Sequence, residues 1–364
     1  MSAYFPLDFH KDFIDVLANN RNIFNVITYD DFLWDFNEND RVNYPKEYSN
    51  WSKKIRENST YRDKIHILIQ HDVDNFPERT MRLIEYEMSK NIKTNIMIFN
   101  KKVSRPNSAN EQMHIVNYDL NFDLLKKCEE NNFVIGYHCN AYERAQYDLK
   151  VAQDIFKKDI EALNQKFRIR YFSAHGGTWS VDKKLNNVDI VVPKKFKNQL
   201  NWVHNGSSPF FEKNYSDGGL STYNHLRQNR DLRLFIKSLK LGRRYRVLTH
   251  PQYYSNSWTE NKLLAQQKWY KIVLNSYNQK KNENVWSEVD LYIKSLSLND
   301  NPGSFKHKFK KNFRTLSYLK YEFLRKIKNQ INNLRSVQKI KKKFLKHLTS
   351  SAKLNRPNVI DKKF

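Results

Sequence analysis

The chain has 364 residues, of which 39% are hydrophobic and 14% aromatic, and its formal net charge is +26. This composition can build a large core and excludes wholesale disorder, while only eight glycines and nine prolines exclude collagen-like or low-complexity scaffolds. Two cysteines, Cys128 and Cys139, exclude a disulfide framework and a zinc ribbon. Without an export signal or a run of about 18 apolar residues, we expect a cytoplasmic protein.

Predicted elements begin with an N-terminal extension over residues 1–62, which contains a helix at 9–17 and an apolar run at 23–27. From residue 63 onwards, strand-length apolar runs alternate with amphipathic helical segments. This alternation predicts a parallel α/β sheet or barrel over residues 63–300. Strands are predicted at 65–70, 94–99, 133–137, 170–173, 188–192 and 245–249, and helices at 78–90, 122–130, 145–163 and 226–241.

Positive charge is concentrated in the last segment of the chain. Residues 301–364 contain 19 Lys and Arg and two acidic residues, whereas residues 1–300 contain 45 and 36. Phe, Leu and Ile recur there at helical spacing, which predicts a basic amphipathic α-helical tail. We expect this tail to bind an anionic membrane surface peripherally. Nucleic-acid binding is the less favoured alternative, because no recognition motif accompanies the charge.

Polar residues with catalytic potential follow four of the predicted strands. The carboxyl ends of parallel strands meet at one edge of a sheet, where active sites are built, so we expect these residues to lie together. A single histidine is more often structural, but four at strand ends weaken that interpretation. The residues are His71, Asp72, Asp74, His138, His175 and His250.

The Asp72-x-Asp74 pair is the sharpest local feature. Two neighbouring carboxylates repel each other unless a cation or a proton compensates. A metal held by one carboxylate and by imidazoles would leave the other aspartate free as a base. The pattern also occurs in solvated loops and in glycosyltransferases that hold Mn²⁺ and a nucleotide diphosphate. An EF-hand is excluded, because the glycine and glutamate that its loop requires are missing.

Five segments together resemble the polysaccharide deacetylases with a NodB-homology domain (carbohydrate esterase family 4). The first segment is similar to the branch of that family that opens with His-Asp-Val-Asp. The resemblance implies a distorted (β/α)7-type barrel and a metal-dependent hydrolase that removes an N- or O-acyl group from a carbohydrate. Attachment of the basic tail to a membrane would bring such a site to lipid-linked glycan intermediates. The segments are IQHDVD at 69–74, VIGYH at 134–138, YFSAHGG at 171–177, YSDGG at 215–219 and LTHP at 248–251.

The resemblance also implies roles for single residues. Asp72 would be the general base, His250 the proton donor to the leaving group, and Asp217 a supporting carboxylate. The cofactor would be a divalent metal ion, zinc above others, with Asp74 and His138 as ligands. The predicted substrate-binding residues are His71, Tyr142, Glu143, Trp179 and Tyr253.

Two positions depart from the family pattern. Tyr142 stands where the second motif normally has its second histidine, and the third motif has Ser173 and His175 in place of its usual arginine. We therefore predict His175 as the third metal ligand, with Glu143 as the alternative. If neither binds the metal, the chain is a non-catalytic, glycan-binding relative.

Overall fold

The computed structural model describes residues 5–34, 47–104, 113–176, 187, 190–203, 210–217, 232–255 and 285–299. The chain divides into two units, Met1–Pro302 and Gly303–Phe364. All of the described residues belong to the first unit, and the predicted tail lies outside them. Within the described stretches, no helix is both long enough and apolar enough to cross a lipid bilayer.

Helices and strands alternate along most of the described chain. The helices are α1 (Leu7–Asn19), α2 (Glu47–Glu57), α3 (Ser59–Arg62), α4 (Pro77–Ser89), α5 (Phe122–Glu130), α6 (Ala141–Arg144), α7 (Leu149–Asn164), α8 (Leu232–Ile236) and α9 (Val285–Asn299). The strands are β1 (Phe5–Pro6), β2 (Phe24–Ile27), β3 (Ile65–Val73), β4 (Asn95–Ile98), β5 (Lys102–Val103), β6 (Ile115–Val116), β7 (Val134–Cys139), β8 (Tyr171–Ala174), β9 (Asn201–Trp202), β10 (Lys213–Ser216), β11 (Arg243–Thr249) and β12 (Tyr254–Ser255).

The main sheet is parallel and runs in the order β10-β11-β3-β4-β7-β8-β9. It curls into a half-barrel of seven strands, which is compatible with the predicted distorted barrel. One edge of β3 pairs with β11, and the other is shared between β2 at residues 65–68 and β4 at residues 70–73. The predicted N-terminal extension therefore contributes a strand to this sheet.

Strand β3 is buried along its whole length, as expected of a central parallel strand. Its side chains alternate between the two faces of the sheet. Ile67 and Ile69 pack with Phe13 of α1 and Leu83 of α4, whereas Leu68 belongs to a separate cluster inside the curl. The alternation therefore gives β3 a helix-facing side and an inner side.

The helix predicted at 145–163 begins later than expected. Gln146 and Tyr147 have φ values of 49° and 69°, so the backbone is left-handed at both residues and a helix cannot run through them. The Asp148 side chain then caps α7 by accepting a hydrogen bond from Val151 N at 2.9 Å. The break leaves α6 as a separate turn next to the end of β7.

Two other predicted elements differ from the structure. The strand predicted at 188–192 is absent from residues 190–192, the part of it that the structure describes. Pro193 has no N–H to continue a strand ladder and instead precedes the short 3₁₀ helix Lys194–Phe196. The sheet continues through β9, which pairs with β8. The helix predicted at 226–241 is described from Leu232 and ends at Ile236.

Candidate metal centre

The carboxyl end of β3 carries the two aspartates. Asp72 is the penultimate residue of the strand, and Asp74 directly follows it. The neighbouring parallel strands are β11 on one side and β4, β7 and β8 on the other. His138 lies on β7, His175 follows β8 and His250 follows β11, so all three imidazoles reach the edge of the sheet where the aspartates lie.

Asp74 is the central residue of this group. Its Oδ1 atom lies 3.1 Å from His138 Nε2, and its Oδ2 atom lies 3.9 Å from both His175 Nε2 and His250 Nε2. Asp74, His138 and His175 each offer one ligand atom within 4.8 Å of the others. These three residues can therefore hold a metal ion.

Each imidazole is oriented from behind through its Nδ1 atom. An outer partner of this kind fixes the tautomer and direction of a histidine that binds metal through Nε2. The Glu143 carboxylate only accepts hydrogen bonds, so Nδ1 of His175 carries the proton and Nε2 keeps its lone pair when the ring is neutral. The contacts are His138 Nδ1 to Ser173 Oγ at 2.7 Å, His175 Nδ1 to Glu143 Oε1 at 2.7 Å, and His250 Nδ1 to Asp217 Oδ1 at 2.6 Å.

Two buried atoms at the centre lack a hydrogen-bond partner within the described part of the chain. They are Asp74 Oδ1 and His138 Nε2, which face each other at 3.1 Å without the alignment of a hydrogen bond. Leaving a buried polar atom unpaired costs about 1–3 kcal/mol. A cation between them would satisfy both atoms, and one carboxylate with two imidazoles is a ligand set typical of catalytic zinc. The residues present thus fit a divalent metal.

The charge of Asp74 also favours a cation. Burial raises the pKa of this carboxyl, but the nearby imidazoles of His175, His138 and His250 outweigh burial and hold its pKa below the ordinary value. Asp74 is therefore ionised at neutral pH. An ionised carboxylate with converging imidazole nitrogens is the state that binds metal.

Asp72 lies beside this group and is held differently. Its Oδ1 atom accepts a hydrogen bond from Gln70 Nε2 at 2.6 Å, and the Gln70 amide oxygen in turn accepts one from Tyr29 Oη at 2.5 Å. The Oδ2 atom lies 3.7 Å from His138 Nε2 and 3.9 Å from His250 Nε2. One oxygen of Asp72 is therefore fixed, and the other is directed towards the imidazoles.

His250 carries a positive charge. Burial lowers the pKa of this imidazole, but the carboxylates of Asp217, Asp74 and Asp72 overcome burial and raise the pKa of His250 to about 10. Asp217 is fully buried and accepts hydrogen bonds from both the backbone N and Nδ1 of His250, each at 2.6 Å. His250 is therefore an imidazolium at neutral pH, able to donate a proton from Nε2.

The loops that carry Asp74 and His250 are joined to each other. Asn75 Nδ2 donates to Gln252 Oε1, and Lys102 Nζ donates to Asn75 Oδ1. Arg79 on α4 donates from one nitrogen to the carbonyl oxygens of Gln252 and Tyr254 at 3.0 and 2.9 Å. These bonds connect the loop after β3 to the loop after β11 and so fix the distance between Asp74 and His250.

Two predicted substrate-binding residues, His71 and Tyr142, do not join the group. His71 alternates with Asp72 along β3 and is directed to the helix-facing side, where it is fully buried. Tyr142 on α6 is buried in the core next to Tyr147, with ring centroids 5.5 Å apart. Trp179 lies outside the described residues, and Tyr253 belongs to the 3₁₀ helix Pro251–Tyr253 that follows His250.

Glu143 reaches the site, but behind His175 rather than at the ligand position. Its second oxygen accepts a hydrogen bond from Asn187 Nδ2 at 2.7 Å, and Asn187 Oδ1 accepts one from Tyr142 N at 2.8 Å. Both carboxylate oxygens of Glu143 are thus hydrogen-bonded, one to His175 and the other to Asn187. Glu143 orients His175, and His175 is the third of the residues that could hold a metal ion.

Several of the supporting residues could not be identified from the amino-acid sequence. Gln70 and Ser173 lie within the motif segments at 69–74 and 171–177. Only the tertiary structure shows that Gln70 hydrogen-bonds to Asp72 and that Ser173 hydrogen-bonds to His138. The Phe99 ring stacks on His138, with centroids 5.1 Å apart and planes 12° apart, and meets His175 edge-on at 5.3 Å. Phe99 directly follows β4, which lies between β3 and β7 in the sheet, and this position is the sequence feature that could have indicated its contact with the histidines.

No protein-family model and no curated protein matches the chain.

Proposed function

We propose that the chain is a metal-dependent carbohydrate deacetylase, a hydrolase that removes an N- or O-acyl group from a sugar. The observation that carries this proposal is the arrangement around Asp74, where two imidazoles and one carboxylate can share a cation. A second carboxylate, Asp72, and an imidazolium, His250, lie within 4 Å of the group. The proposal includes closure of the curled sheet as a distorted (β/α)7-type barrel.

The bound cation, zinc in this proposal, would polarise the acyl carbonyl and make a water molecule more acidic. Asp74, His138 and His175 would hold it. Asp72 would take one proton from the attacking water through Oδ2, while Gln70 keeps the carboxylate in position.

His250 would supply the second proton. As the oxygen of water bonds to the acyl carbon, the bond from that carbon to the sugar nitrogen or oxygen breaks. Nε2 of His250 would protonate the departing atom, and Asp217 would stabilise the imidazolium before this step. The products are the free sugar amine or alcohol and a carboxylic acid.

The geometry favours this function over the two alternatives. A non-catalytic relative would be expected if the third ligand were missing, whereas His175, directly after β8, lies where it could serve as that ligand. A glycosyltransferase would use the Asp-x-Asp pair to hold Mn²⁺, which prefers oxygen ligands. Imidazole nitrogens around Asp74 suit zinc better.

Metal analysis combined with acetate release tests the proposal. The purified chain should contain metal and release acetate from some member of a panel of N- and O-acetylated sugars. Asp74→Ala and His138→Ala should lose both properties. Acetate release by both variants at the wild-type rate would exclude the proposed site.

We also propose that residues 301–364 bring the protein to a membrane that carries lipid-linked glycans. The support is the charge of this segment, with 19 Lys and Arg against two acidic residues. The full chain should float with vesicles that contain anionic lipid, and replacement of Lys341, Lys342 and Lys343 by Gln should weaken flotation. Equal flotation with neutral and anionic vesicles would exclude this role, and binding to RNA instead would favour the nucleic-acid alternative.

A further inference from the structure

A second group of metal-ligand residues lies on the opposite side of β3 from Asp72. It consists of His10 on α1, His71 on β3 and Glu87 on α4, and all three side chains are completely buried. Neighbouring residues of a strand point to opposite faces, so His71 leaves the sheet on the side covered by the two helices. This group is therefore separate from the centre around Asp74.

The two imidazoles converge on one carboxylate oxygen. Glu87 Oε1 lies 2.9 Å from His71 Nε2 and 3.4 Å from His10 Nε2. Zinc-to-ligand distances of about 2.0–2.2 Å place the ligand atoms of a tetrahedral ion roughly 3.3 Å apart. The two measured distances lie on either side of that value, and all three ligand atoms are within 4.8 Å of one another.

Outer partners hold His71 and Glu87 in this arrangement. His71 Nδ1 lies 2.6 Å from Thr249 Oγ1, and Glu87 Oε2 accepts a hydrogen bond from Thr94 Oγ1 at 2.8 Å. Nδ1 of His71 is thus used for orientation, whereas Nε2 of His71 is directed at the Glu87 carboxylate and also lies 3.1 Å from its Oε2 atom. Oε1 of Glu87 faces both imidazoles. Metal ligands are commonly held in this way.

His10 indicates what the group binds. Neither of its ring nitrogens has a hydrogen-bond partner among the residues that the structure describes, although the side chain is completely buried. The 3.4 Å contact with Glu87 lacks the alignment of a hydrogen bond. Burial of an unpaired imidazole nitrogen costs about 1–3 kcal/mol. A histidine that only packed against its neighbours would therefore be less favourable at this position than an apolar residue.

A hydrogen-bonded pair of His71 and Glu87 would account for the 2.9 Å distance but not for His10. A cation would give His10 Nε2 a partner and would neutralise a completely buried carboxylate. All three side chains are completely buried within the described part of the chain, and His10 packs edge-on against Phe13 of the core with ring centroids 5.7 Å apart. Its role would therefore be structural.

We propose that His10, His71 and Glu87 hold a second divalent cation of the zinc class, which joins helix α1 to β3 and α4. Three protein ligands leave one position of a tetrahedral ion for an enclosed water molecule. The ion would connect the N-terminal helix to the strand that carries Asp72, without taking part in the reaction there.

Metal stoichiometry of the full chain tests the inference. The purified protein is incubated with zinc chloride, desalted and analysed for zinc per chain. We expect two equivalents for the wild type, one for His10→Phe and one for His138→Ala, and none for the double variant. His10→Phe preserves a ring in the core, and Glu87→Gln provides a second, isosteric variant that should also contain one equivalent.

His114, which is exposed, provides the matched control for surface histidines. His114→Ala should retain both equivalents. Removal of zinc by a chelator should lower the melting temperature of the wild type and of His138→Ala more than that of His10→Phe. The inference is overturned if folded His10→Phe and Glu87→Gln contain as much zinc as the wild type, or if the wild type contains one equivalent that His138→Ala removes. The second result would leave the centre around Asp74 intact, so the two proposals can fail separately.

Discussion

His175 Nε2 lies 3.9 Å from Asp74 Oδ2, although the two residues follow different strands of the sheet. Strand β8 pairs with β7, and β7 is joined to β3 through β4. The third residue that could hold the metal therefore comes from the end of β8 instead of from the turn after His138, where Tyr142 is buried in the core. The curl of the sheet is what brings the end of β8 back towards Asp74.

This relationship predicts that His175 is needed for metal binding and that Tyr142 is not. His175→Ala should lose the zinc of the Asp74 centre, because one of its three protein ligands is gone. Glu143→Gln should weaken zinc affinity by about 10- to 100-fold, since it removes the charge that orients His175. Zinc titration of the purified variants measures both effects.

Tyr142→Phe keeps the buried ring and serves as the matched control, with zinc affinity expected to equal that of the wild type. If His175→Ala bound zinc as tightly as the wild type while Tyr142→Phe did not, the ligand set would have to be reassigned.

The third ligand could not have been fixed from sequence alone. Motif order placed His175 after a strand, but whether that strand lies near β3 depends on the order of strands in the sheet. The bounds of β3 show a related difficulty. The predicted strand stops at residue 70, because His71 and Asp72, which follow it, are polar, whereas the real strand continues to Val73. Buried partners such as Thr249 satisfy these side chains, and those partners are distant in sequence.

Some helices could be predicted from local signals. Helix α5 has the bounds predicted for it, and Asn121 caps it by accepting a hydrogen bond from Leu124 N. The buried stripes of α1 and α4 contain His10 and Glu87 at positions that helical spacing assigns to the core. A titratable residue on the buried face of a helix therefore indicates a buried polar group that needs a partner. The helical spacing does not indicate which residue that partner is.

Gln146 offers a test of the break between α6 and α7. Its backbone is left-handed, with φ at 49°, and its side chain is exposed. Glycine adopts this conformation without a steric penalty, so Gln146→Gly should raise the free energy of unfolding by up to about 1 kcal/mol. Gln146→Val should lower it, because a β-branched side chain fits this conformation poorly. Urea unfolding of the three proteins gives the comparison, and a lower stability for the glycine variant would contradict the described backbone.

Asp72 should act in turnover without being required for the metal. Asp72→Asn preserves the shape of the side chain but removes the base, so kcat should fall by about 10²–10⁴-fold while zinc content remains that of the wild type. Asp123→Asn, which changes an exposed acid in the first turn of α5, is the matched control and should leave both unchanged. A parallel loss of zinc and activity in Asp72→Asn would instead make Asp72 a metal ligand.

The pair of Asp217 and His250 predicts a pH dependence with a definite sign. His250 acts as an acid, so it must be protonated. Burial lowers its pKa, but the carboxylates of Asp217, Asp74 and Asp72 together raise the pKa to about 10, and Asp217 contributes most among the three. In Asp217→Asn burial is no longer opposed by this charge, and the pKa of His250 should fall. The alkaline decline of kcat/KM should therefore begin at a lower pH in the variant than in the wild type.

The same pair should affect stability in the same pH range. A histidine whose folded pKa is raised above its ordinary value of 6.5 contributes stability below that pH, and the contribution is lost as the pH rises towards 10. The difference in unfolding free energy between wild type and Asp217→Asn should therefore shrink from pH 6 to pH 10. A pH–rate profile and a series of urea titrations measure the two effects independently. An unchanged alkaline decline in Asp217→Asn, in a variant that keeps its zinc, would show that another group donates the proton.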